Sequence, residues 1–324
     1  MKVTDEMIHP ELLKNGKLFR ALIPKFTVPK LKFLAKIFDL IYSDTRQPKN
    51  MQMEIVELPR GDGTKVKLYV YRPLQPKENV PGVLWLHSGG FVMGTARSAP
   101  QEWPSGLMEV SNCVIVSPEY RLSFEAPYPA AFEDCYAGLI WMKDHASQLG
   151  IDDSRLVVCG DSSGGCLTAA LCIYARDKGE VAVSFQLPLY PMLDDRQNTD
   201  SLRDNDGPVW NEENNRFAWQ LYLGEGYGLP ETPVYAAPGR LTDFKGLPPA
   251  ASFVGSIDPL RDEVVAYFDG LKKEGIPAEL KIYEGCFHGF DGFCEKANVS
   301  KEARKFIIGH FQYAIENYRA PQKA

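Results

Sequence analysis

The chain has 324 residues, enough for one large domain with a sizeable core, and its composition, 44% hydrophobic and 24% charged, is that of an ordinary globular protein. A formal net charge of −6 argues against nucleic acid as the main partner, since phosphate binding needs a basic face. No apolar run is long enough to span a bilayer, Met1 to Asn15 lacks the apolar segment of a secretory leader, and the seven cysteines show neither CxxC nor zinc-like spacing, so the expectation is a cytoplasmic protein without stable membrane insertion.

Glu11 to Ile41 is amphipathic, with leucines and phenylalanines set among Lys14, Lys17, Arg20, Lys25, Lys30, Lys32 and Lys36. Pro24 and Pro29 should break it into at least two helices. Basic amphipathic helices lie on membrane surfaces or, more commonly, cover the body of their own domain, and the second reading is preferred. From Gln52 the pattern becomes short strands. Gln52 to Leu58 and Lys65 to Arg72 flank Arg60-Gly61-Asp62-Gly63 and read as a hairpin. Gly82 to His87 and Cys113 to Pro118 are apolar runs without alternation, as in parallel strands covered on both faces. Helices are expected over Trp103 to Val110 and within Pro129 to Leu149.

Arg155 to Cys159 is a further strand, Gly160 to Gly165 a glycine-rich turn around Ser162, and Cys166 to Ala175 a run of small and apolar residues suited to a helix. Val181 to Leu189 is the next strand. Met192 to Tyr235 breaks the rhythm: it is polar, yet contains Trp210, Phe217, Trp219, Tyr222 and Tyr227. It is too long for an ordinary connection and reads as an insertion with its own helix at Glu212 to Leu223. Ala250 to Gly255 and Ala278 to Tyr283 are strands, and Leu260 to Glu274 and Lys301 to Tyr318 helices.

Gly160, Ser162 and Gly164 fit the nucleophile elbow, a strand-to-helix turn sharp enough to project a serine hydroxyl into a cleft. Such a run is also what a plain glycine turn looks like. A serine needs a base, usually a histidine oriented by a carboxylate. Of five histidines, His9 lies in the N-terminal arm, His145 and His310 in helices, and His87 ends a buried strand beside glycines. His288 remains, between glycines just beyond a strand. Asp258 holds the equivalent place after the preceding strand, although Asp before Pro also serves as a helix cap; Asp262 and Glu263 compete, but belong to the first helical turn. The order Ser162, Asp258, His288 matches that of α/β-hydrolases. The amides of Gly89, Gly90 and Ser163 are the expected donors to an oxyanion.

The chain resembles the hormone-sensitive-lipase-like family of α/β-hydrolases, a group of carboxylesterases and lipases. The resemblance rests on His87 to Gly90, Tyr120-Arg121-Leu122, Pro129-Ala130-Ala131 with Glu133-Asp134, Gly160 to Gly165, Asp258 to Glu263, and His288-Gly289-Phe290. It implies a mostly parallel eight-stranded sheet flanked by helices, with residues 51–191 and 236–324 forming the catalytic domain and residues 1–50 and 192–235 a helical cap. It also implies a serine carboxylesterase acting on small-molecule esters of short to medium acyl chain, without metal or organic cofactor. The acyl pocket would be lined by some of Phe91, Trp210, Phe217, Trp219 and the N-terminal leucines and phenylalanines. Pairing into a homodimer at the sheet edge near the C-terminal strand is a further implication. A lipase, or a non-catalytic small-molecule receptor on the same fold, are the alternatives. Ser88 departs from the family's oxyanion loop, where a glycine is usual, and would be strained if the position needs φ > 0. Ser123-Phe124 departs from the usual Ala-Pro after Tyr-Arg-Leu, so that loop is expected to differ in shape.

Overall fold

The computed structural model describes residues 1–22, 25–42 and 49–323, so the helix break expected at Pro24 lies outside the described residues. Helices α1 (Leu13–Leu22) and α2 (Val28–Ile41) form the basic amphipathic stretch. Pro29 does not break a helix: it sits in the first turn of α2, where the absence of an N–H leaves no bond unmade. The hairpin β1 (Met51–Pro59) and β2 (Lys65–Pro73) turns at Gly63, whose φ is +83°. Strand β3 (Val80–Leu86), helix α3 (Trp103–Ser111) and strand β4 (Val114–Pro118) follow. The expected helix over Pro129 to Leu149 is two, α4 (Ala130–Asp144) and α5 (Ala146–Leu149), separated at His145. Strand β5 (Ile151–Asp161) is longer than its apolar run, because Ile151 extends the pairing to Val80.

Helix α6 (Ser163–Lys178) stops at Gly179 in the left-handed conformation, and β6 (Phe185–Leu189) is shorter than expected. In the insertion, α7 (Glu212–Leu223) is where the sequence places it, capped by Asn211, whose side chain accepts from the Asn214 N–H. Strand β7 (Ala250–Gly255), helix α8 (Arg261–Lys273), strand β8 (Ala278–Tyr283) and the short α9 (Phe290–Phe293) precede α10 (Asn298–Asn317), which starts three residues before the predicted Lys301.

The eight strands form one sheet in the order β1-β2-β4-β3-β5-β6-β7-β8, with β1/β2 and β2/β4 antiparallel and every other pair parallel. Alternate side chains feed two cores: Val83, Trp85 and Cys159 pack with Trp103, Leu107 and Phe311, while Leu84, Leu86 and Val158 pack with Leu139, Leu167 and Leu171. The parallel strands end along the same rim, and β3, β5, β7 and β8 deliver there the loops carrying Gly89, Ser162, Asp258 and His288.

Those loops are locked to one another. A Cβ on Gly164 would stand 2.0 Å from the Leu86 carbonyl oxygen at the end of β3. One on Gly255 would stand 1.9 Å from the Cys286 oxygen, so the end of β7 lies directly against the histidine loop. After β3, buried His87 donates from Nδ1 to the Ser88 carbonyl at 2.8 Å and stacks on Tyr120 at 4.0 Å, while the Tyr120 hydroxyl donates to the His87 carbonyl at 2.7 Å. Burial pushes the His87 imidazole down to about 4 and holds it neutral.

Two predictions follow from this locking. Gly164→Ala and Gly255→Ala should each destabilise the protein by about 1–3 kcal/mol, read as a lower urea midpoint, whereas Gly309→Ala, with nothing within 4 Å on exposed α10, should raise it slightly. Because the unfolded His87 protonates near 6.5 and the folded one only near 4, the unfolded chain binds the extra proton between these values. Stability contributed by neutral His87 is therefore complete above pH 6.5 and falls by up to about 3 kcal/mol as pH drops to about 4. In urea melts across that range His87→Gln should show a correspondingly smaller loss on acidification; an unchanged loss would exclude the assignment.

Candidate active site

Ser162 occupies the turn between β5 and α6 with φ 54° and ψ −115°, a conformation that a non-glycine residue rarely adopts. It is held there from both sides: its N–H donates to the Leu189 carbonyl at 2.9 Å, and its carbonyl accepts from Met192 at 3.1 Å. The hydroxyl stands 2.9 Å from His288 Nε2, and His288 Nδ1 stands 2.8 Å from Asp258 Oδ2. Asp258 as a carboxylate only accepts, so Nδ1 carries the imidazole proton and Nε2 is free to accept from Ser162. The capping alternative for Asp258 holds at the same time: its Oδ1 accepts from the Leu260 N–H at 2.9 Å while Oδ2 faces His288. All three side chains are buried.

Beside Ser162 lies the loop after β3. Gly89 and Gly90 take φ of +119° and +62°, and the N–H groups of Val92 and Met93 turn back to the Gly89 carbonyl. Among the described residues, the N–H groups of Gly89, Gly90 and Ser163 have no acceptor, Ser163 because it opens α6. Ser88 is not at positive φ, so the strain expected there is absent: the left-handed positions fall on the two glycines and Phe91. At the other departure from the family pattern, the Ser123 N–H donates to the Phe91 carbonyl at 2.8 Å and ties its loop to this one.

Of the four aromatic candidates, Trp210 comes nearest the triad. Its ring centroid is 6.0 Å from that of His288, and its Cη2 lies 2.4 Å from where a Gly90 Cβ would be, so only glycine fits beneath it. Its Nε1 donates to Asn215 Oδ1 at 2.9 Å, which fixes the ring. Phe91 and Trp219 are fully buried, Phe91 stacking on Tyr222 at 3.8 Å and Trp219 meeting it edge-on at 5.8 Å, and Phe217 is half-buried on α7. From the N-terminal segment Phe26 reaches Trp210 at 5.8 Å, whereas Leu18, Leu22, Phe33 and Leu40 point to solvent.

Several residues that matter here lack a sequence signature of their own. Tyr190 packs edge-on to His288 at 5.2 Å and donates to Asp161 Oδ2 at 3.2 Å. Burial, reinforced by the negative charges of Glu102 and Asp291, pushes the Asp161 carboxyl well above the usual carboxylate range. Glu263 accepts from the Leu193 and Asp194 N–H groups at 2.8 and 3.1 Å, and Asp262 from Ser201 at 2.7 Å. The rejected competitors of Asp258 thus anchor the start of the insertion. Their common signal is acidic residues packed into the first turn of α8, beyond what a helix start requires. Among the described residues no group of three or more His, Cys, Asp or Glu could hold a metal ion, and no helix is long and apolar enough to cross a membrane.

Comparison with known proteins agrees with this architecture. A family model of the alpha/beta hydrolase fold matches residues 83–292. Esterase LipI of Mycobacterium tuberculosis is 35% identical over 80% of this chain and 81% of its own, and carboxylesterase NlhH of the same species is 33% identical over 74% and 76%. Among solved structures, a bacterial heroin esterase superposes with a TM-score of 0.86 at 34% identity, covering 97% of this chain and 99% of its own. The chain belongs to the hormone-sensitive-lipase-like family of α/β-hydrolases and is a carboxylic ester hydrolase.

Proposed function

We propose that the protein hydrolyses small esters of short to medium acyl chain through Ser162, His288 and Asp258. The observation that carries this reading is the unbroken chain of hydrogen bonds from Ser162 Oγ through His288 to Asp258, ending beside three unpaired amides. Ser162 Oγ attacks the ester carbonyl carbon as His288 Nε2 takes its proton, and Asp258 holds the imidazole and balances its positive charge. The carbonyl oxygen, now an alkoxide, receives hydrogen bonds from the amides of Gly89, Gly90 and Ser163. Collapse of the tetrahedral species breaks the bond to the alcohol, which leaves with the proton from His288. A water then gives its proton to His288 and attacks the acyl-serine, and the proton returns to Ser162 Oγ as the acid departs.

Residues 1–50 and 192–235 act as a cap on the catalytic domain of residues 51–191 and 236–324. The Phe26 N–H donating to Asn214 Oδ1 at 3.3 Å supports treating the two pieces as one unit. Trp210 over Gly90, with Phe26 over Trp210, limits the depth of the cleft and favours short acyl groups; Phe91 and Trp219 belong to the core cluster behind this wall, and Phe217 on α7 is a further candidate lining residue. The seven thiols, all free and buried, suit a reducing compartment such as the cytoplasm. We also place a homodimer contact at β8, the outer strand of the sheet, where Ile282 is half-exposed.

Ser162→Ala and His288→Ala should each lower kcat on p-nitrophenyl butyrate by about 10⁴-fold or more with the fold retained, and near-normal turnover in either would refute the assignment. Across p-nitrophenyl esters of increasing length, Trp210→Ala should move the optimum to longer chains. For the assembly, light scattering after gel filtration should find a dimer that Ile282→Asp converts to monomer; a monomeric parent protein would remove that contact.

A further inference from the structure

Helices α1 and α2 carry a surface that covering the catalytic domain does not account for. Between Leu12 and Tyr42 the sequence has seven lysines and arginines against one acid, Asp39, in a chain whose net charge is −6. The inner side of α2 is met by Leu31, which is fully buried, and its C-terminal end is tied down by Arg97, which donates to the Tyr42 carbonyl at 2.5 Å. A helix that merely covered its own domain would turn polar side chains outward. Instead Phe33 and Leu40, seven residues apart on one stripe, are 65% and 84% exposed, bordered by exposed Lys30, Lys32 and Lys36. The outward stripe of α1 repeats the pattern, with Leu18 and Leu22 beside Lys14 and Lys17. Of the eleven large hydrophobic side chains exposed among the described residues, five lie on these two helices.

The basic groups are only partly neutralised. Lys17 pairs with Asp5 and Lys25 with Glu213, each in the open, whereas Lys14, Lys32 and Lys36 have no ion-pair partner among the described residues. Apolar side chains bordered by exposed lysines are complementary to a layer with acyl chains below and negative headgroups above. Phe26, two residues before α2, packs on Trp210, and Trp210 on His288. From these observations we infer that α1 and α2 form a docking face for an anionic lipid surface, on which the enzyme rests peripherally.

The test is sedimentation of the full-length protein with vesicles of phosphatidylglycerol and phosphatidylcholine in equal parts, and with vesicles of phosphatidylcholine alone. The expected result is binding to the first that weakens with added salt, and little binding to the second. Phe33→Ser with Leu40→Ser, and separately Lys32→Glu with Lys36→Glu, should each reduce the partition coefficient by more than about ten-fold. Thermal melting and turnover of soluble p-nitrophenyl acetate should stay as in the parent protein, because these side chains face away from the site. Absence of binding to the anionic vesicles, equal binding to both compositions, or binding insensitive to both pairs of substitutions would each overturn the inference. So would a dimer in gel filtration that Phe33→Ser with Leu40→Ser dissolves while vesicle binding persists, since the face would then belong to a second copy of the chain.

Discussion

A serine at φ 54° and ψ −115° persists only where its surroundings leave it no alternative. Here they come from three strands. Gly160 and Gly164 let the backbone press against the end of β3, and the bonds to Leu189 and Met192 grip Ser162 from the end of β6. The same contact that fixes the serine sets its distance from the Gly89–Gly90 loop, because that loop leaves β3 at the point Gly164 touches. Ser162 and the Gly89–Gly90 loop are therefore positioned by one piece of packing.

A second lock operates on the other side of the cleft. The contact of Gly255 with Cys286, and the Ser256 hydroxyl accepting from the Gly285 N–H at 2.8 Å, join the loop bearing Asp258 to the loop bearing His288. The N-terminal arm reinforces this, since the His9 N–H donates to the Gly285 carbonyl at 2.8 Å. Near both locks, desolvation pushes the carboxyls of Asp161, Glu102 and Asp291 upward; the charges of Glu102 and Asp291 add to this at Asp161, while Arg304 opposes it at Asp291.

Much of this was legible in the sequence. The unalternating apolar runs marked the buried parallel strands, and a glycine-flanked serine, an aspartate and a histidine each followed one of them in the expected order. What stayed hidden depends on contacts distant in the chain. Pro29 looks like a breaker until its position within a helical turn is known. Ser88 looked strained because a sequence records which residue replaces glycine, not which peptide carries the positive φ. Ile151 joins β5 only because Val80 lies opposite, and Phe91 and Trp219 read like Trp210 although they are fully buried. Glu263 was set aside as a helix-start carboxylate, and its grip on Leu193 and Asp194 joins segments some seventy residues apart.

That grip has a consequence for how such an enzyme can change. The insertion carrying Trp210 begins on amides held by Glu263, five residues beyond Asp258, and Asn205 Nδ2 bonds back to the Ser201 and Ile257 carbonyls. Trp210 and Asp258 thus share a foundation. A cap transplanted from a relative would have to reproduce the peptide orientations at its root as well as the side chains at its tip. Otherwise it would leave the buried Glu263 carboxyl without partners five residues from Asp258. Substitutions at the root of this segment therefore have to be matched by substitutions in the first turn of α8.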